Sequence, residues 1–315
     1  MNYRKILAKN KRMTMLVIFT YVLIMAFVGI MADMAVGAVN DLSFVDNMIV
    51  FATFQKTPYV TLTVLSFTFL GIALIYFFGH KIMLTGIRYE EITEQEDDFK
   101  KKMALNILKE MQIAASLPYL PKLYYIDSDE LNAFAAGWRP NNSIVGVTRG
   151  LLNTLDRSEL QAVIAHEVGH IVHGDSRLTM YIGILANVIL LFTNIFARFS
   201  IYSRSNSNSK ANAAKMILLL LNLILPLITQ LLYLFLSRTR EYMADAASVK
   251  FTGDNQAMIN ALNKISRGAN YSNRDEVESV GESYRKAAYI FNKSSSSLFS
   301  THPSVEDRIK ALKGE

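Results

Sequence analysis

The stretch AHEVGHIVHGD, Ala165–Asp175, contains two histidines four residues apart, with a glutamate directly after the first. Residues four apart on a helix project from the same face, so His166 and His170 are placed to bind one metal ion. Glu167 would then lie beside a water molecule at that ion and could accept its proton. The spacing is typical of a zinc site. The alternative interpretation is a helix with two ordinary surface histidines.

The residues before this stretch predict that it is helical. Asp156 is followed three residues later by Glu159, which is the pattern of a capping box at a helix N-terminus. Apolar residues then recur at helical spacing: Leu160, Val163, Ile164 and Val168. We therefore expect a helix that begins after Asp156 and carries both histidines.

A catalytic zinc site needs a third protein ligand and an open coordination position. The chain has no cysteine, so this ligand must be an imidazole or a carboxylate. His173 lies one turn further along the same helix, but three ligands on one straight helix would form a row, and a partly exposed helical histidine is the simpler interpretation. Glu241 begins a predicted helix, and Asp245, one turn later, could hydrogen-bond a ligating histidine. The spacing of Glu241 and Asp245 alone also fits an ordinary solvated helix face.

Composition places this site beside a membrane. The 315 residues are 51% hydrophobic and only 19% charged, whereas soluble domains have about 25% charged residues. The charge is missing from four runs: Met13–Ala32, Thr57–Gly79, Leu178–Ala197 and Met216–Ser237. Each has the length that a helix needs to cross about 30 Å of hydrocarbon. About four transmembrane helices are therefore expected, although the last two runs also fit a re-entrant hairpin.

The loops predict the orientation of these spans. A basic cluster within residues 4–12 precedes the first run, whereas Asp33, Asp41 and Asp46 follow it. The positive-inside rule then puts the N-terminus and everything after Gly79 in the cytoplasm. The net charge of +6 is otherwise scattered and no aromatic-basic motif accompanies it, so nucleic-acid binding is not expected. If His166 and Glu241 share one metal, the segment between them must cross the membrane an even number of times.

The chain is accordingly divided into four parts. We expect an N-terminal basic segment and first transmembrane hairpin (1–81), a polar part with the metal helix (82–177), a second hairpin (178–237) and a polar part with the third ligand (238–315). In the first polar part, Asp97–Ala115 is predicted to be a helix. The predicted short strands are KLYYI from residue 122, NAFAAGW from residue 132 and SIVGV from residue 143, with a turn at Arg139–Asn142. The fold class is α+β, predominantly α-helical.

Five motifs in order make the sequence resemble a known family. They are NAFAAG (132–137), VTRGLL (147–152), AHEVGHIVHGD (165–175), EYMADAAS (241–248) and THPSVEDRI (301–309). The same order occurs in the HtpX-like membrane metalloproteases, bacterial relatives of the type I CaaX prenyl protease. The resemblance spans nearly the whole chain, including the two apolar runs before the metal helix and the two after it. It implies a cytosolic gluzincin-type metalloprotease domain with a small mixed sheet.

The resemblance also implies roles for individual residues. His166, His170 and Glu241 would bind one Zn²⁺ per chain, with Glu167 as general base. Asp245 and Arg308 would support the ligands, and His302, assisted by Arg308, would stabilise the oxyanion. Asp175 would cap the next helix. The substrate strand would pair with the stretch formed by Asn132, Ala133, Phe134, Ala135 and Ala136.

The implied activity is peptide-bond hydrolysis on the cytoplasmic side of a bacterial inner membrane. Its substrates would be misfolded or damaged membrane proteins, in quality control and the stress response. The sequence does not indicate an oligomeric state or a cleavage specificity. A metal-sensing membrane protein would not need Glu167, and a scaffold would need no metal. An intramembrane protease would carry its metal helix inside an apolar span, whereas Asp156–Asp175 is charged.

Overall fold

The computed structural model describes residues 3–137, 140–182, 184–185, 195, 198, 212–213, 215–220, 224, 238–271 and 303–315. These residues belong to two compact units. The site unit draws on Met1–Thr14, Phe78–Gly183 and Tyr233–Glu315, and the hairpin unit on Met15–Phe77 and Ile184–Leu232.

Three helices begin the chain: α1 (Tyr3–Gly37), α2 (Phe44–Ala52) and α3 (Tyr59–Ile82). Two helical stretches, Ala8–Gly37 and Tyr59–Ile82, are long and apolar enough to cross a membrane by length and composition. They coincide with the first and second apolar runs. The third and fourth runs lie largely outside the described residues, so four spans remain a prediction.

Polar contacts within the hairpin unit join α1 to α3. The buried Asp33 carboxylate accepts hydrogen bonds from the backbone N–H of Val60 at 3.0 Å and from that of Thr61 at 2.8 Å, and the Thr61 hydroxyl also donates to it at 2.7 Å. Asp33 thereby satisfies N–H groups in the first turn of α3 that have no partner within the helix. A Cβ added at Gly29 would lie 2.7 Å from the Thr61 Cα, so glycine permits this close approach.

The site unit contains a four-stranded mixed sheet. Its strands are β1 (Tyr89–Ile92), β2 (Lys122–Ile126), β3 (Ala133–Ala136) and β4 (Ile144–Thr148), in the order β1-β2-β4-β3. β2 and β4 are parallel, and the two outer pairs are antiparallel. Three of these strands were predicted. β1 was missed because it has four residues, three of them exposed, and lacks an apolar alternation.

Among the described residues, the site unit also contains the helices α4 (Phe99–Ala114), α5 (Arg149–Thr154), α6 (Arg157–His173), α7 (Thr239–Thr252), α8 (Asn255–Tyr271) and α9 (Val305–Lys313). Apolar side chains from α4, α6, α8 and the sheet form the core, with Leu108, Val145, Ile164 and Met258 fully buried. The described part of the chain is thus predominantly helical with a small mixed sheet, which confirms that part of the predicted fold class.

Helix α6 carries the histidine stretch, and both of its ends are capped. The predicted capping box is present: the Asp156 side chain accepts from the Glu159 N–H, and the Glu159 side chain accepts from the Asp156 N–H. At the other end, Gly174 has the left-handed φ of 69° that ends many helices. The Asn10 side-chain amide, near the start of α1, donates to the His173 carbonyl at 3.0 Å. The end of α6 therefore contacts the beginning of α1.

Candidate metal centre

Three side chains from two helices converge on one point of the site unit. His166 and His170 project from α6, and their Nε2 atoms are 3.2 Å apart. Glu241, from the first turn of α7, places Oε2 3.6 Å from His166 Nε2 and Oε1 3.9 Å from His170 Nε2. These three residues form a group whose ligand atoms all lie within 4.8 Å of one another. His173 is not a member of that group.

The arrangement fits a zinc ion. Nitrogen and carboxylate ligands lie about 2.0–2.2 Å from zinc, so ligand atoms at tetrahedral angles are roughly 3.3–3.5 Å apart. The two Nε2 atoms, 3.2 Å apart, are close to this value, and the Glu241 carboxylate places one oxygen 3.6 Å from His166 Nε2 and the other 3.9 Å from His170 Nε2. Two imidazoles and one carboxylate also match the ligand set of catalytic zinc sites, which keep a fourth position open for a water molecule or the substrate.

Small residues allow α7 to approach α6 closely enough for Glu241 to reach the histidines. A Cβ added at Gly169 would lie 3.0 Å from the Ala247 Cβ and 3.4 Å from the Ala244 Cα, so a larger side chain would push the helices apart. The buried Ser248 hydroxyl of α7 also donates to the Ala162 carbonyl of α6 at 2.7 Å. The glycine inside the histidine motif therefore has a packing role.

The second ring nitrogen of His166, Nδ1, contacts the carboxylate of Asp245, which is in turn bound by the guanidinium of Arg308. His166 Nδ1 lies 2.9 Å from Asp245 Oδ1. The buried Arg308 of α9 donates to both oxygens of Asp245, from Nε at 2.8 Å and from Nη2 at 2.6 Å. Burial acts to raise the pKa of Asp245, but Arg308 and His166 outweigh it and keep that pKa below its ordinary value. Ionised Asp245 can therefore accept a hydrogen bond from the Nδ1–H group, which leaves Nε2 free to bind a metal.

Arg308 also lies close to the third candidate ligand, Glu241. Its Nη1 atom is 3.9 Å from Glu241 Oε2, and its side chain is bound to Asp245 as described above. His302, expected to share the oxyanion role with it, lies outside the described residues, so its role remains a prediction.

The pKa of Glu167 is shifted in the opposite direction from those of Asp245 and Asp175. Glu167 is fully buried, and neither carboxylate oxygen has a hydrogen-bond partner among the described residues. Burial raises the pKa of Glu167, while His170 and His166 act in the opposite direction. A buried carboxylate without a hydrogen-bond partner destabilises the folded protein. Such a group therefore needs an explanation, and a catalytic role is one. A raised pKa also suits a group that must accept a proton and later return it.

Asp175 takes a position that the sequence did not predict. We expected it to cap the next helix, but its Oδ1 lies 3.1 Å from His170 Nδ1. Gly174 is in the left-handed conformation between the two, and the turn there brings the carboxylate back onto the imidazole. Burial acts to raise the pKa of Asp175, but His170 and Arg240 hold it below its ordinary value. Each histidine of the motif therefore contacts an aspartate through Nδ1.

The proposed substrate strand, β3, is one of the two edge strands of the described sheet. β3 pairs with β4 on one side, from Ala133 opposite Val147 to Ala136 opposite Ile144, and it contacts α6. The preceding Asn132 accepts a bond from the Thr148 hydroxyl through its carbonyl, at 2.9 Å. This anchor fixes the start of β3 beside the helix that carries the histidines.

Comparisons with known proteins agree with this site. The family model described as peptidase family M48 matches residues 100–315. The chain belongs to peptidase family M48. It is 42% identical over 313 residues to a protein named Protease HtpX homolog from Helicobacter acinonychis (strain Sheeba), covering 99% of this chain and 98% of that protein. A protein with the same name from Helicobacter pylori (strain Shi470) is 43% identical over 312 residues, with the same coverage.

These relatives identify the chain as a metalloprotease of the HtpX type, and the family resemblance stated above is confirmed. A metal-dependent activity agrees with the His166, His170 and Glu241 group. Among solved structures, the crystal structure of S. mikatae Ste24p is similar with a TM-score of 0.44 and 22% identity, covering 84% of this chain and 60% of that chain. The two apolar helices and the HtpX-type relatives indicate association with a membrane.

Sequence reasoning missed one further residue of this region. Arg240, directly before Glu241, is buried and donates to the Thr179 hydroxyl at 2.6 Å. A basic residue beside a candidate ligand is the signal that could have drawn attention to it, but such neighbours are common on solvated helices. For Asp175 the signal was stronger, because a carboxylate follows the helix-ending Gly174 only five residues after His170.

Proposed function

We propose that this chain is a zinc-dependent endopeptidase that hydrolyses peptide bonds on the cytoplasmic side of a bacterial inner membrane. The observation that carries this proposal is the convergence of His166, His170 and Glu241 beside the buried, unpartnered carboxylate of Glu167. Metal binding alone would not require an acid–base group there. The membership in family M48 supports the same activity.

Zinc, when bound by these three side chains, would polarise the scissile carbonyl and make a water molecule acidic enough to act as nucleophile near neutral pH. In that setting Glu167 would accept a proton from the nucleophilic water molecule and later donate it to the leaving amine. Such positioned acid–base groups contribute roughly 10²–10⁴ to the rate. Asp245 and Arg308 keep His166 oriented, and His302 stabilises the oxyanion.

An extended substrate would pair with β3, using the backbone of Asn132, Ala133, Phe134 and Ala135. Pairing with an edge strand recognises the peptide backbone, with specificity added by side-chain pockets. The position of β3 at the edge of the described sheet, next to α6, supports this mode. It suits an enzyme that must cleave unfolded segments of many different sequences.

The proposed setting is quality control of misfolded or damaged membrane proteins. Two apolar helices at the start of the chain and the basic cluster ahead of the first support a multi-pass protein with its N-terminus and site in the cytoplasm. The hairpin formed by the third and fourth apolar runs would then return the chain to the same side for Glu241. The partners in this proposal are protein or peptide substrates, chiefly membrane proteins, and the lipid bilayer.

The test is to purify the protein in detergent, measure zinc stoichiometry, and follow casein cleavage with and without a chelator. Glu167→Gln should abolish cleavage and retain zinc, because the amide cannot accept the proton and Glu167 is not a ligand. Glu306→Gln, at an exposed position on α9, is the matched control and should behave as the parent. Parent protein that binds zinc but cleaves nothing would instead indicate a metal-binding protein, and cleavage by Glu167→Gln at the parent rate would refute the mechanism.

A further inference from the structure

A second chain of contacts begins at His170 Nδ1. His170 Nδ1 meets Asp175 Oδ1 at 3.1 Å, and Asp175 is completely buried. The Thr179 hydroxyl, one turn along the helical residues 175–182, donates to the Asp175 backbone carbonyl at 3.2 Å. Arg240 Nη1 donates to that hydroxyl at 2.6 Å and lies 3.5 Å from the same carbonyl.

These contacts repeat the arrangement behind the other histidine. His166 is held by Asp245, and Asp245 is held by Arg308. His170 is held by Asp175, and the turn that carries Asp175 is held by Arg240. In both cases a buried arginine fixes an aspartate that fixes an imidazole. The difference is that Arg240 acts on the backbone and hydroxyl of its partner segment, whereas Arg308 acts on the carboxylate itself.

Arg240 also has a special place in the chain. It precedes Glu241, so one end of α7 supplies both the third candidate ligand and this clamp. Thr179 lies 61 residues earlier, as the second residue of the third apolar run, and the rest of that run and the whole fourth run separate it from Arg240. The Arg240–Thr179 hydrogen bond therefore joins the entry of that segment to its exit, within the site unit.

We propose that Asp175, Thr179 and Arg240 form a positioning relay for His170. The relay holds both ends of segment 178–237 together, so that His170 and Glu241 can bind the same metal ion. The inference rests on the proposed zinc site. Arg240 touches neither substrate nor metal in this scheme. Arg240 acts on the spacing between α6 and the start of α7. Replacing Arg240 should therefore lower the metal affinity before it changes any other property of the site.

The structural reasons for that expectation are burial and connectivity. Arg240 is only 7% exposed and its partners are fully or almost fully buried, so the bond is shielded from water and from salt. Removing the guanidinium would leave Thr179 without its donor and free the start of α7 to shift. Residues that orient a metal-ligating histidine commonly change metal affinity about 10–100-fold when mutated.

The experiment measures the dissociation constant for Zn²⁺ by competition with a chelating dye, on full-length protein in detergent. All variants carry Glu167→Gln, so that self-cleavage and proteolytic activity do not enter the readout. Arg240→Met and Asp175→Asn should each weaken zinc binding about 10–100-fold. Arg238→Met, at the exposed residue before α7, is the matched control and should bind zinc as the parent does. The double variant Arg240→Met/Asp175→Asn should lose less than the sum of the single losses, because both act through one imidazole.

Thr179→Val keeps shape and removes only the bridging hydroxyl, so it tests the relay if Arg240→Met does not fold. It should weaken zinc binding, and Arg240→Lys should recover part of the affinity lost in Arg240→Met. Zinc affinity equal to the parent in Arg240→Met or Thr179→Val, with or without a lowered melting temperature, would overturn the relay and leave Arg240 a purely structural residue. Parent protein that binds no zinc would instead refute the proposed site itself.

Discussion

Replacing Arg308 with methionine tests how far the metal site depends on the C-terminal helix. The guanidinium makes two charge-assisted hydrogen bonds to Asp245, at 2.8 and 2.6 Å, and the residue is 1% exposed. Methionine keeps an unbranched apolar side chain but is shorter than arginine and has no charge. It would leave the Asp245 carboxylate buried with His166 as its remaining partner in this group of side chains.

Two magnitudes follow from this geometry. Removing one member of a buried ion pair destabilises a protein by about 3–5 kcal/mol, because the other charge stays buried. Zinc affinity should also fall by about 10–100-fold, since Asp245 is the group that orients His166. That factor corresponds to roughly 1.4–2.7 kcal/mol, at about 1.36 kcal/mol for each tenfold change.

The assay combines thermal unfolding in detergent, with zinc or with a chelator, and a zinc competition titration. Lys310→Met, at an exposed position on the same helix, is the control for the loss of a positive charge. The double variant Arg308→Met/Asp245→Asn should be less destabilised than the two single changes added together. If Arg308→Met unfolds and binds zinc as Lys310→Met does, the reasoning from the buried pair is wrong.

Three other predictions address packing, capping and the undescribed C-terminal part of the site. Gly169→Val should lower zinc affinity as well as stability, because the new side chain would meet Ala247 and push α7 away; zinc titration and a melting curve check this, and full zinc affinity would count against it. Asp156→Ala should cost about 0.5–2 kcal/mol of stability at neutral pH. The hydrogen bond from the Glu159 N–H holds the Asp156 pKa below its ordinary value, so this stabilisation is present above the unfolded-state pKa and lost as the pH falls through the folded-state pKa. Melting curves of parent and Asp156→Ala should therefore converge in acid, and a constant difference would argue against the cap. His302→Ala should reduce kcat without loss of zinc, and unchanged turnover on casein would remove His302 from the mechanism.

The helix of the histidine motif was predictable because its signals are local. Asp156 and Glu159 mark its start and apolar residues follow at helical spacing, so the capping box and α6 could be read directly from the residues. The strand β1 carried no such pattern. Its single buried residue, Ile92, gains its place from pairing with Leu123, which belongs to a strand about 30 positions further along the chain.

The candidate ligand set depended on longer-range information. The distance of 75 positions between His166 and Glu241 contains no local clue that the two side chains meet, and the resemblance to a family supplied that link. Asp175 shows the opposite case. Its nearness to His170 in sequence was visible, but only the left-handed turn at Gly174 determines that the carboxylate faces the imidazole and does not cap the following helix.

The hydrogen bond from Asn10 to the end of α6 bears on how the enzyme can be divided. A fragment beginning after α3 would contain every candidate ligand, yet it would lack the amide that α1 donates to the His173 carbonyl. The last turn of the histidine helix would then be exposed to water at a point three residues beyond His170. A chain shortened in this way would therefore require a replacement for this contact, for example a short peptide supplied in trans that reproduces the first residues of α1.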